Sequence, residues 1–136
     1  MTNRRTLIDV NLTKSVALPA AGATAYTPFI DLLTVTAGRV PCVELFISTS
    51  AALATLADTK NVTFTVQDSA DGANGIAAAA DLPVYTSTGA GGAGAAAVDV
   101  QVKLPINLRR FVRLAVTADA AAGNLAAITA TVGLAF

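Results

Sequence analysis

The sequence predicts an all-β chain, a single-domain antiparallel β-sandwich of jelly-roll type with about eight strands. Three observations carry this expectation. Apolar and β-branched residues alternate with period two over several short stretches. Gly, Pro, Asn and Asp bound those stretches at regular spacing, the pattern of a sandwich or barrel. Only residues 51–58, rich in alanine and leucine, favour a helical turn or two.

Taken in order, strands are expected at residues 7–18 and 29–36. A third runs through Val43, Leu45 and Ile47, which alternate with Cys42, Glu44 and Phe46, so that the strand is expected to be covered on both sides, as suits the middle of a packed sheet. Residues 61–67 place Val62, Phe64 and Val66 inward and Thr63, Thr65 and Gln67 outward. Another strand is expected at 82–88. The alternation continues with Val98, Val100, Val102 and Leu104 opposed by Asp99, Gln101 and Lys103, then with strands at 109–117 and 125–136. Eight antiparallel strands in two sheets is the jelly-roll count.

Two loops stand apart. Residues 68–80 open on an Asp/Gly/Asn cluster and end in four alanines, and residues 89–97 (GAGGAGAAA) read as a low-complexity, mobile or partner-ordered loop. Each lies between strands that need one another to bury their faces. Residues 1–136 are therefore expected to form one domain, with residues 1–6 as an extended N-terminal arm.

Composition narrows the function. Apolar residues make up 54% of the chain and charged residues 13%, about half the usual share of the latter. The apolar excess comes mainly from 30 alanines, with 17 threonines beside them. So little surface charge suits a protein whose surface is partly covered by copies of itself or by another protein. Nine basic and nine acidic residues cancel, which argues against nucleic acid as a partner. No stretch is long and apolar enough for a spanning helix; the charge-free run from 120 to 136 falls short of the roughly 20 residues required. No signal-peptide core follows the basic start, so cytoplasmic synthesis is expected.

The chain has no histidine and one cysteine, Cys42. Imidazole-based catalysis, Cys–His nucleophiles and cysteine-rich metal centres are thereby removed. The eight aspartates and Glu44 fall mostly in turns or at outward positions, where solvated carboxylates are expected. Residues 89–94 formally fit G-x-G-x-x-G, but no strand–turn–helix unit surrounds them to hold a pyrophosphate. Residues 68–75 have the look of a calcium loop, yet alanines stand where an EF-hand needs oxygen ligands, and a turn is the better reading. Neither an enzyme nor a cofactor or metal site is expected.

What remains is arginine. Arg4 and Arg5 lie in the N-terminal arm; Arg109, Arg110 and Arg113 lie in and just before the seventh expected strand. Arginine suits bidentate pairing at protein interfaces, so these five are the candidate residues for gripping an acidic partner surface.

Three segments carry a resemblance: Leu7-Ile8-Asp9-Val10-Asn11-Leu12, Gln67-Asp68-Ser69-Ala70-Asp71-Gly72, and the module from Leu104 through Pro105, Arg109, Arg110 and Phe111 to Arg113. In these the chain resembles the cement, or decoration, proteins of tailed-bacteriophage heads. The resemblance implies a jelly-roll structural protein, not an enzyme, on the capsid exterior of the virion. Its partners would be the major capsid protein and a second copy of itself, with no nucleic acid and no membrane. A carbohydrate- or receptor-binding β-sandwich of a phage tail or surface appendage is the alternative. Against it stand the absence of tryptophan and the presence of only two tyrosines.

Overall fold

A computed structural model describes residues 8–32, 44–105 and 107–135. Ten strands occur among them: β1 (Ile8–Ala17), β2 (Thr24–Tyr26), β3 (Ile30–Asp31), β4 (Glu44–Thr49), β5 (Asn61–Ser69), β6 (Ala77–Ala78), β7 (Tyr85–Thr88), β8 (Asp99–Lys103), β9 (Phe111–Ala118) and β10 (Thr129–Ala135). They form two antiparallel sheets. The first has the order β1-β10-β4-β8; the second runs β2-β9-β5-β6, with β3 also on β9 and β7 also on β5. The pairs β2/β3 and β6/β7 each share one side of a longer strand, at different registers. Both layers are therefore four positions wide, and the all-β sandwich expected from the sequence is the architecture found.

Alternation decides which side chains enter the space between the sheets. In β5, Val62, Phe64 and Val66 are buried while Thr63, Thr65 and Gln67 are not, as the period-two pattern predicts. Val112, Leu114 and Val116 of β9 and Ala130, Val132 and Leu134 of β10 line the same core, and all six are fully buried. Each large aliphatic or aromatic side chain removed from water in this way stabilises the fold by about 1.5–3 kcal/mol. In β4, Leu45 and Ile47 face inward; Phe46, on the opposite face, is also buried, so this strand is covered on both sides. Phe46 pairs with Gly133 across the ladder, and a Cβ on Gly133 would lie 2.6 Å from the Phe46 ring. The glycine leaves the space that the ring fills.

One expectation fails: residues 51–58 form turns, not a helix. Leu53 exchanges backbone hydrogen bonds with Ala95, and the Ala57 N–H donates to Ala122, so this backbone is spent on tertiary partners. Eight residues are too few to nucleate a helix against that competition. Leu53 and Leu56 enter the core instead. The 89–97 loop is likewise tied down, not loose. Gly89 and Gly94 pack so closely on the 53–57 backbone that an added Cβ would come within 2.2 Å of the Ala57 carbonyl oxygen and 2.0 Å of the Leu53 one. The Gly92 N–H donates to the Asp58 carboxylate at 2.9 Å. The N-terminal arm with Arg4 and Arg5, the expected strand beyond residue 32, and Cys42 lie outside the described residues. No helix among the described residues is long and apolar enough to cross a membrane.

Candidate partner-binding interface

β9 carries the candidate site. Its alternation sends Val112, Leu114 and Val116 to the core, so Phe111 and Arg113 stand on the outer face of the second sheet. On one side, Arg113 lies in register with Gln67 of β5, and its Nε donates to the Gln67 side-chain oxygen at 2.9 Å. On the other side the ladder is interrupted between β2 and β3. Pro28 has no N–H to give there. Thr27 bridges the gap: its N–H donates to the Leu114 carbonyl at 3.0 Å, and its Oγ1 accepts the Leu114 N–H at 2.9 Å.

That interruption lets two aromatic rings close over Arg113. The guanidinium carbon lies 4.0 Å from the Tyr26 ring centroid and 5.0 Å from that of Phe29. Phe29 in turn meets Phe111 edge-to-face at 6.3 Å, a favourable aromatic geometry. Arg110 covers Phe111 from another side at 4.9 Å. Gly72 backs the same ring, since a Cβ there would sit 3.3 Å from it. Tyr26 is 46% exposed, one of two large apolar side chains left so open among the described residues.

The three described candidate arginines have different duties. Arg109 is committed to its own fold. Its Nε and Nη2 donate to Asp68 Oδ1 at 2.9 and 2.6 Å, Nη2 also donates to the Asp68 carbonyl, and Nη1 donates to the Gly75 carbonyl at 2.7 Å. Arg110 makes a two-pronged pair with Asp31, Nε to Oδ1 at 2.9 Å and Nη2 to Oδ2 at 2.8 Å. This pairing with Asp31 raises its already high pKa. Arg113 has no carboxylate partner among the described residues, and its two terminal nitrogens meet no acceptor there. It is a cation held close to two aromatic rings with donors to spare.

The sequence did not place Tyr26, Phe29, Asp31 or Asp68 beside these arginines. Tyr26, Phe29 and Asp31 are far in the chain from the arginines, 79 residues in the case of Asp31 and Arg110, and meet them only through the pairing of β2 and β3 with β9. For Asp68 a signal existed: it continues the inward parity of positions 62, 64 and 66, because β5 runs two residues further than expected. It is a buried carboxylate, contrary to the expectation of a solvated one.

The neighbouring turn of residues 69–74 uses its own acid. Asp71 accepts the Ala73 and Asn74 N–H groups at 2.9 and 2.7 Å and the Asn74 side-chain amide at 3.0 Å. These bonds, the Asn74 N–H first, hold its carboxyl well below the usual range. Among the described residues, no three His, Cys, Asp or Glu side chains gather as metal ligands. A shallow cleft of about 250 Å³ adjoins Arg109, lined by Asp68, Asp81 and Asn107 among others. Its polar groups are already engaged: Asn107 donates to Asp81, and Arg109 to Asp68.

The arrangement is thus equipped for recognition: a partly exposed guanidinium held against the open ring of Tyr26 and the half-buried ring of Phe29. The chain matches no family model, and no curated protein matches it.

Proposed function

We propose that this chain is a structural virion protein, a capsid cement protein that binds the outer surface of a phage head at capsomer contacts and stabilises the shell. The single observation that carries the reading is Arg113 set between Tyr26 and Phe29 with unspent donors. Arg and Tyr are the residue types that dominate binding energy at protein interfaces. A guanidinium already held by two rings and a hydrogen bond to Gln67 loses less freedom on meeting a carboxylate. An acidic patch of a major capsid protein is the complement such a surface asks for. Binding the assembled shell and not its free subunits would stabilise the shell by mass action. The jelly-roll assignment belongs to this proposal. With β2/β3 and β6/β7 counted as one position each, the strand order becomes 1-8-3-6 over 2-7-4-5, which supports it.

The alternative, a carbohydrate- or receptor-binding module, draws support from the exposed ring of Tyr26 beside the half-buried Phe29 and Phe111. A sugar, however, would stack on a bare ring face. Arg113 already covers one face of Tyr26 at 4.0 Å, which favours an anionic protein partner.

The deciding measurement is the copy number of this chain in gradient-purified virions, relative to the major capsid protein, by quantitative mass spectrometry. Hundreds of copies in fixed ratio to the shell subunit are expected. A handful would move the chain to the tail or to receptor binding, and absence from the particle would refute a virion role. Removal of residues 1–5, which contain Arg4 and Arg5, is expected to leave a folded protein that attaches more weakly to isolated heads.

A further inference from the structure

We infer that β8 is a homodimerisation edge, pairing antiparallel with the β8 of a second copy about a twofold axis through Gln101. This inference does not rest on the capsid reading. β8 closes one side of the first sheet, bonded to β4 and to no other described strand. The Thr49 N–H donates to the Val98 carbonyl at 2.9 Å, which sets the phase of that ladder. Val98, Val100 and Val102 therefore direct their backbone groups toward β4, and the N–H and C=O groups of Asp99, Gln101 and Lys103 point to the open edge.

Natural proteins protect such edges with proline, bulges or very short strands. The other edges here are protected in that manner. β2, β3, β6 and β7 have two to four residues each, and β1 is irregular between Ile8 and Thr13. β8 has five residues in unbroken register, and Pro105 stands beyond its end.

Its sequence, Asp99-Val100-Gln101-Val102-Lys103, is charge-complementary to itself when reversed. With Gln101 opposite its symmetry mate, Asp99 faces Lys103 of the second copy and Lys103 faces the second Asp99. All three outward-bonding residues then fall in hydrogen-bonded pairs. On the inner face, half-buried Val100 meets the second copy's Val102. A shift by two residues loses both ion pairs, and parallel pairing sets like charges side by side. Charge therefore selects one register and one orientation, and the twofold makes the interface isologous. The product is one continuous sheet of eight strands, β1-β10-β4-β8 followed by its mirror order.

The test is sedimentation velocity on the full chain without any capsid, so that its failure stays distinct from failure to bind heads. Wild type is expected to be a dimer at micromolar concentration. Asp99→Lys and Lys103→Asp should each weaken self-association about tenfold or more, since each sets two like-charge pairs directly opposite. An equimolar mixture of the two variants should regain the dimer, because each supplies the other's missing sign. Gln101→Pro provides a second route. Its lost N–H faces the open edge, where proline is tolerated, so the monomer should fold and stay monomeric. A monomeric wild type, single variants that dimerise like wild type, a mixture that stays monomeric, or an undiminished Gln101→Pro dimer would each overturn the inference.

Discussion

Arg109 and Asp68 lie 41 residues apart in sequence and are joined by four hydrogen bonds, three of them to the Asp68 carboxylate. Arg109 Nε and Nη2 both reach Asp68 Oδ1, and the Arg109 N–H donates to Oδ2 at 3.1 Å. The side chain of Asp68 is 10% exposed and that of Arg109 36%. The pair therefore sits where water screens it only in part. It pins the end of β5 to the approach of β9 and, through the Gly75 carbonyl, holds the loop whose Gly72 backs Phe111.

Arg109→Ala is expected to destabilise the protein by about 2–3 kcal/mol, less than for a fully buried pair, because it leaves Asp68 without its charged partner. Arg109→Lys should recover only part of the loss, since a single ammonium cannot span Oδ1 and two carbonyls. Equilibrium denaturation in urea reads both, and an Arg109→Ala midpoint equal to wild type would contradict the structural role.

Arg113 should behave in the opposite way. Arg113→Ala removes a partly exposed cation–π contact of about 0.5–1 kcal/mol and should change stability little. Binding to isolated heads should fall about tenfold or more, as expected when a central interface arginine is truncated. Arg110→Ala, whose charge Asp31 already satisfies, should weaken binding less. Co-sedimentation with heads at two salt concentrations separates the pair, and equal losses for both variants would count against Arg113 as the centre of the site.

The glycines of the 89–97 loop divide by contact. Gly94→Ala, at φ +72° and 2.0 Å from the Leu53 oxygen, is expected to cost about 2–4 kcal/mol. Gly91→Ala, at φ +63° but with open space around it, should cost about 1 kcal/mol from backbone conformation alone. Thermal melts of the two variants test this, and equal melting temperatures would show that packing on residues 53–57 is unimportant.

Asp71 gives a pH dependence of known sign. Its folded carboxyl lies below the ordinary 3.8, so its contribution is full above that value and declines as pH falls toward the lowered one. A carboxyl-carbon NMR titration should place its midpoint well under 3.8, with the Ala73 and Asn74 amides following the same curve. A midpoint at the ordinary value would mean that the turn's hydrogen bonds do not form in solution.

Much of the fold was legible in the chain, because parity in a strand is a local property. Once Val62, Phe64 and Val66 alternate with polar residues, burying one set exposes the other, and no distant residue is needed to say so. The same locality explains what was misread. Residues 51–58 have helix-forming composition, yet their backbone bonds go to Ala95 and Ala122, partners the local sequence does not reveal. Glycine in 89–97 suggested freedom, but a missing Cβ also permits the closest approach of two backbones, and here that use prevails. The arginines show the division most clearly. Composition and charge alone pointed to Arg109, Arg110 and Arg113 together, as one basic cluster. Which of them is a structural tie, which a surface pair and which a cation with donors to spare was decided by the side chains the sheet set beside them: Asp68, Asp31, and Tyr26 with Phe29. Strand pairing joins residues without regard to their separation along the chain, and only the tertiary structure records which partners meet.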